Sequence, residues 1–129
     1  MGERQTIQQL LANSRAGLNR LEPAAALMAQ AAGATLIDTR CADDRRASGV
    51  IPGSVHIPLS VLFWRLDPMS GHHIPSLADP DRPFILLCTD GYSSSLAAAT
   101  LLSLGFTHAT DVIGGFRAWV EAGLPLEPA

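Results

Sequence analysis

Cys88, Thr89, Asp90, Gly91, Tyr92, Ser93 and Ser94 stand in a row between the apolar run Phe84–Leu87 and a segment rich in Ala and Leu. That order reads as buried strand, tight loop and helix N-terminus. Backbone N–H groups at a helix start point outward without internal partners, so a sulfur placed there is favoured as a thiolate. A thiolate is a nucleophile, and Cys88 is the candidate. An ordinary cysteine titrates near pH ~8.5, and each unit of lowering requires about 1.4 kcal/mol of preference for the anion. A helix dipole contributes about 0.3–1 kcal/mol, less than one unit. A hydrogen bond to a charged acceptor contributes about 1.5–3 kcal/mol. The loop amides, rather than the dipole, must therefore supply most of the activation.

Each loop residue has a reading in that light. Gly91 permits the backbone turn that aims several N–H groups inward. Asp90 opposes activation if its carboxylate points in. Ser93 and Ser94 cap the helix and can donate hydroxyls to the sulfur. Tyr92 either flanks the entrance or shields the loop. The competing reading of Cys88 is an inert core cysteine at a strand end.

The elements that must hold this loop alternate along the chain. Ile7, Leu10, Leu11, Leu18 and Leu21 lie at helical spacings, interrupted by Asn13-Ser14 and Gly17, which predicts one short helix and then a turn. Pro23 opens a second helix through Ala32, stopped at Gly33. Thr35-Leu36-Ile37-Asp38 is a short apolar strand, Asp43 to Ala47 a brief charged helix, and Ser54-Val55-His56-Ile57 a second strand. Ser60 to Leu66 is a short helix, and Pro68 to Pro83 a loop rich in Pro, Gly and Asp. A helix from about Ser93 to Ser103, a strand near Ala109 to Ile113 and a final helix from about Gly115 to Ala122 complete the order. Short, almost wholly apolar strands alternating with helices predict an α/β fold with a parallel sheet covered on both faces. Ligands bind outside the carboxyl ends of such strands, and Cys88 and the stretch Asp38 to Cys41 both follow strand ends.

Composition narrows the function classes. With 129 residues, 47% of them hydrophobic and 16% charged, the chain can bury a proper core and is not a disordered segment. A formal net charge of −3 argues against a general nucleic-acid binder, and any anion site must be local. Two cysteines, Cys41 and Cys88, make no disulfide framework and fit a reducing, cytoplasmic setting. No stretch reads as a signal peptide or membrane span. Met1-Gly2 with Thr6 matches an N-myristoylation pattern, but the acidic Glu3 beside Gly2 marks a chance match. His56, His72, His73 and His108 lack metal-ligand spacing, and no metal or cofactor is expected.

Four segments together resemble the rhodanese-homology family over about Leu36 to Pro125. Cys88 to Ser94 resembles its Cys-x-x-Gly-x-Ser-Ser active-site loop. Leu36-Ile37-Asp38-Thr39-Arg40 resembles its Asp-x-Arg strand end. Gly49 to Pro58 resembles its Gly-His-Ile-Pro-Gly-Ala segment, and Gly114 to Trp119 with Gly123-Leu124-Pro125 its C-terminal signature. The resemblance implies a rhodanese-like three-layer sandwich over 35–129, a short parallel central sheet between helices, with residues 1–34 as an added helical extension. It implies sulfurtransferase chemistry. Cys88 takes the outer sulfur of thiosulfate, 3-mercaptopyruvate or a persulfide, and a thiol, cyanide or a protein acceptor removes it. Related phosphatases and arsenate reductases use a longer loop ending in Arg; this loop is short and holds no Arg or Lys, which disfavours phosphoryl transfer. Many family members carry Arg at the loop position of Ser93, and thiosulfate-specific relatives favour cations in the loop. Asp90 therefore predicts weak thiosulfate activity. A non-catalytic sulfur-binding or regulatory module is the alternative of a different class.

The remaining candidates are peripheral. Asp38 and Arg40 are read as a structural ion pair at the loop edge. Cys41 is either a resolving thiol or a partly buried spectator. Trp64 and Arg65 either line the pocket mouth, with Arg65 supplying positive charge, or serve as core packing and a solvated cation.

Overall fold

Strands β1 (Thr35–Asp38) and β3 (Phe84–Leu87) sit at the centre because almost every side chain in them is apolar and buried. A computed structural model describes residues 3–129. The pattern at Met1-Gly2 lies outside them. β1 and β3 pair in parallel, Thr35 opposite Phe84 through Asp38 opposite Leu87. β2 (Val55–His56) flanks β1 and β4 (Ala109–Asp111) flanks β3, so the parallel sheet runs β2-β1-β3-β4.

Successive residues of a strand point to opposite faces, and this alternation splits the core in two. Ile37, Phe84 and Leu86 pack with Leu62, Leu66, Ala98, Leu101 and Phe106 on one face. Leu36, Ile85 and Leu87 pack with Ala26, Ile51, Phe116 and Trp119 on the other. The first face is covered by α4 (Leu62–Leu66) and α5 (Ser93–Ser103), the second by α2 (Pro23–Ala31) and α6 (Gly115–Glu121). The short helix α3 (Ala42–Ser48) follows β1. This is the α/β arrangement, a parallel sheet with helices on both faces, that the spacing of apolar residues predicts.

Helix α1 (Ile7–Ala16) begins with a capping box: Thr6 Oγ1 accepts from Gln9 N at 3.1 Å, and Gln9 Oε1 accepts from Thr6 N at 2.8 Å. It runs through Asn13-Ser14, where sequence alone suggests an interruption, and ends at Gly17. Asn and Ser each cost about half a kcal/mol or slightly more in a helix, and burial of the Leu11 side chain, worth about 1.5–3 kcal/mol, exceeds both together. α1 lies on α5, outside the two layers that enclose the sheet. The chain then joins the sheet edge. Leu21 N donates to the Asp111 carbonyl at 3.1 Å, and Ile113 N donates to the Leu21 carbonyl at 2.8 Å. That register sets Arg20 beside Asp111.

Candidate active site

The β1–β3 register brings the segment after Asp38 alongside Cys88. Thr39 N and Thr39 Oγ1 both donate to the Leu87 carbonyl, at 2.8 and 2.9 Å. Thr39, Arg40, Cys88, Thr89, Asp90, Tyr92 and Ser93 line an open cavity of about 260 Å³ at the carboxyl ends of the strands.

The loop after Cys88 is shaped from outside, by capture of its carbonyls. Phe116 N donates to the Cys88 carbonyl at 2.7 Å and Arg117 N to the Thr89 carbonyl at 3.0 Å, so the first turn of α6 holds two of them. The Gly91 carbonyl accepts from Arg15 Nη2 at 2.7 Å and Arg20 Nη2 at 3.1 Å. The approach to α6 requires glycines. Gly91 has φ +85°, and a Cβ there would sit 2.8 Å from Gly114 N. A Cβ on Gly115 would overlap the Cys88 carbonyl.

With the carbonyls turned out, donors converge on sulfur. Gly91 N at 3.1 Å and Ser94 N at 3.4 Å donate to Cys88 Sγ, and the Cys88 thiol donates to Ser94 Oγ at 3.2 Å. Cys88 is 7% exposed. Burial pushes its thiol up, but the Ser94 and Ser93 hydroxyls and the Ser94 and Gly91 amides outweigh burial and hold it below its ordinary value. The sulfur is thus neither sealed in hydrocarbon nor lacking amide donors.

Behind the loop stands Asp111, fully buried. Its Oδ2 accepts from Ser94 Oγ and Ser95 Oγ, both at 2.7 Å, and Arg20 binds both carboxylate oxygens at 2.8 and 3.2 Å. Sequence reasoning passed over Asp111, Ser95, Arg15, Arg20 and Arg117. One signal was present: an aspartate inside an otherwise buried parallel strand needs a cation, and the chain supplies few.

The predicted residues fall into two groups. Asp38 and Arg40 form a buried ion pair at 2.9 Å, with Arg45 adding a contact to Asp38 at 3.2 Å. Burial raises the Asp38 carboxyl, yet hydrogen bonds and charge from Arg40, then Arg45, hold it below 3.8. Arg40 also donates to the Gly49 carbonyl at 2.8 Å and lies 3.6 Å over the Phe116 ring. Asp90 pairs with Arg117 at 2.8 Å on the exposed rim. Trp64 and Arg65 do not line the Cys88 cavity. Trp64 lines a separate groove with Phe63, Asp67, Ser70, Thr100 and Leu104, and Arg65 donates to the His72 carbonyl at 2.8 Å. Cys41 is exposed at the start of α3. Among the described residues, no three His, Cys, Asp or Glu side chains gather as a metal site.

The family profile described as Rhodanese-like domain matches residues 22–122. The chain belongs to the rhodanese-like family. The matched span includes α2. A thiosulfate sulfurtransferase GlpE of Pseudomonas savastanoi pv. phaseolicola is 37% identical over 100 residues, covering 78% of this chain and 85% of that protein. A Rhodopseudomonas palustris protein of unknown function, described as a possible tyrosine phosphatase, superposes with a TM-score of 0.87 at 29% identity over 98% of both chains. The polysulfide-sulfur transferase homodimer of Wolinella succinogenes superposes with a TM-score of 0.68 at 25% identity, over 92% of this chain and 85% of that one. No helix among the described residues is long and apolar enough to cross a membrane.

Proposed function

We propose that this rhodanese-like protein is a sulfurtransferase whose Cys88 carries the transferred sulfur as a persulfide. The Cys88 thiolate attacks the outer sulfur of a sulfane donor. One Sγ–S bond forms, the donor's bond to that sulfur breaks, and sulfite, pyruvate enolate or a thiolate departs with the electron pair. A thiol or cyanide then attacks the terminal sulfur, taking it as a persulfide or thiocyanate and restoring the thiolate. The observation that carries this reading is the set of Gly91 and Ser94 donors within 3.4 Å of Sγ. The same donors suit a charged terminal sulfur.

The pocket chemistry favours a donor other than a small dianion. Arg40 is committed to Asp38 and Arg117 to Asp90, so no unpaired cation lines the cavity among the described residues. A small-molecule or protein persulfide donor, working in a reducing cytoplasm, fits better than thiosulfate. Asp38 and Arg40 hold the loop edge rather than react.

The test is intact mass after incubation with thiosulfate, 3-mercaptopyruvate or a persulfide. The protein gains one sulfur that a reductant removes, and Cys88→Ser does not. Absence of the adduct with every donor sinks the proposal. An adduct without turnover to cyanide or thiol makes the protein a sulfur-binding module instead. Hydrolysis of an aryl phosphate dependent on Cys88 would make it a phosphatase.

A further inference from the structure

Two of the three captured carbonyls in the Cys88 loop are held by backbone amides of α6. The third, on Gly91, is held by charged side chains from a distant part of the chain. Arg15, near the end of α1, reaches it at 2.7 Å and also donates to Ser95 Oγ at 3.1 Å. Arg20, in the segment joined to the sheet edge, reaches it through Nη2 at 3.1 Å while binding Asp111 through Nε and Nη2. A trans peptide points its carbonyl and the following N–H in opposite directions. Holding the Gly91 carbonyl outward therefore fixes the Gly91–Tyr92 peptide plane and anchors the C-terminal side of the turn whose preceding peptide carries Gly91 N, 3.1 Å from Sγ.

Asp111 adds a second link. The Ser94 hydroxyl has one proton. With Cys88 as a thiol, S–H points to Ser94 Oγ at 3.2 Å, and that hydroxyl donates to Asp111 Oδ2 at 2.7 Å. When the sulfur ionises, two anions compete for that single proton. Asp111 can release it because Ser95 Oγ and the Arg20 fork still satisfy the carboxylate. Without Arg20, a buried and uncompensated carboxylate would retain the Ser94 proton and would also repel a thiolate one hydroxyl away.

We propose that Arg15 and Arg20 are positioning residues for Cys88. They hold the Gly91 carbonyl out of the loop, which anchors the turn that carries the Gly91 amide, and they neutralise Asp111, which frees the Ser94 hydroxyl for the sulfur. The segment N-terminal to β1 is on this account part of the active site. The inference rests on Cys88 as the nucleophile of the proposed sulfur transfer. The other charged or titratable groups around the loop are the Asp90–Arg117 pair on its rim, Asp38 with Arg40 and Arg45 across β1, and Tyr92, over whose ring Arg15 lies at 5.5 Å. The substitutions below leave the first two sets in place.

The pH dependence of Cys88 alkylation by iodoacetamide tests the proposal, in a Cys41→Ser background so that only one thiol reacts. This readout needs no sulfur donor or acceptor, so it stands or falls separately from sulfur transfer. Arg20→Gln moves the midpoint up by about one pH unit, an approximately tenfold loss of thiolate below the midpoint. Arg15→Gln moves it up by about half a unit. Arg20→Lys recovers part of the shift, because the charge remains and the fork is lost. Arg20→Gln with Asp111→Asn returns the midpoint toward the parent, since the competing anion is gone. A purely structural role would lower the thermal midpoint and leave the titration where it was. Folded Arg15→Gln and Arg20→Gln proteins with unmoved alkylation midpoints overturn the proposal. If Arg20→Gln does not fold, an unmoved midpoint in Arg15→Gln alone overturns it.

Discussion

Replacing Asp90 by Asn tests the charge logic of the pocket most directly. Asp90 lines the cavity and is 43% exposed, with Arg117 2.8 Å from its carboxylate and 67% exposed. A thiosulfate dianion about 6 Å from that carboxylate is repelled by about 1.4 kcal/mol at the dielectric of water. Arg117 offsets part of this, and an exposed pair is itself worth little, so about 1 kcal/mol remains to be recovered. Asp90→Asn removes the repulsion and releases Arg117 towards the incoming anion. The expected result is a rise of about fivefold in kcat/KM for thiosulfate, measured as thiocyanate formation from cyanide. The gain shrinks at high ionic strength, where screening reaches only about 3 Å at 1 M salt. An uncharged dialkyl trisulfide, as donor, shows no such gain. Unchanged thiosulfate kinetics, or an equal gain with the neutral donor, would refute the claim that the rim carboxylate sets donor preference.

Three further outcomes follow from the geometry. Ser94→Ala removes a hydroxyl 3.2 Å from Sγ and leaves Asp111 with Ser95 and Arg20, so the protein stays folded while the alkylation midpoint rises by about one pH unit. Gly91→Ala meets both a φ of +85° and the Gly114 amide, which costs about 1–2 kcal/mol for the left-handed residue alone and lowers the thermal midpoint by several degrees. Asp38→Asn strands the buried Arg40 and costs about 3 kcal/mol near neutral pH, measured by urea unfolding. Because the folded Asp38 carboxyl is held below 3.8, the stability it contributes is complete above that value and is lost as pH falls through the lowered one; Asp38→Asn shows none of this acid-side slope.

Phe84 to Leu87 read as a strand covered on both faces, because four consecutive apolar residues ended by a Gly-containing loop fit a buried strand in length and flanks. The order of strands and helices, and with it the parallel sheet, followed from the same patterning. The Cys88 loop was legible as a place where amides meet a sulfur, since strand end, glycine and Ser cluster are local signals. Trp64 and Arg65 were not placeable, because α4 is only five residues long and too short for apolar periodicity to say which way its side chains face. α1 extended beyond its sequence reading because packing on α5 outweighed the weak propensities of Asn13 and Ser14.

Local chemistry thus determined the strand, the turn and the nucleophile candidate, since each depends on neighbours within about one turn of chain. The partners of the loop were decided by tertiary structure alone. Arg15 and Gly91 are separated by 76 positions, and Arg20 and Asp111 by 91. Only the docking of α1 on α5 and the pairing of Leu21 with the β4 edge bring those charges within hydrogen-bonding range. A buried carboxylate advertises its need for a cation, but which arginine answers is settled by how the layers pack.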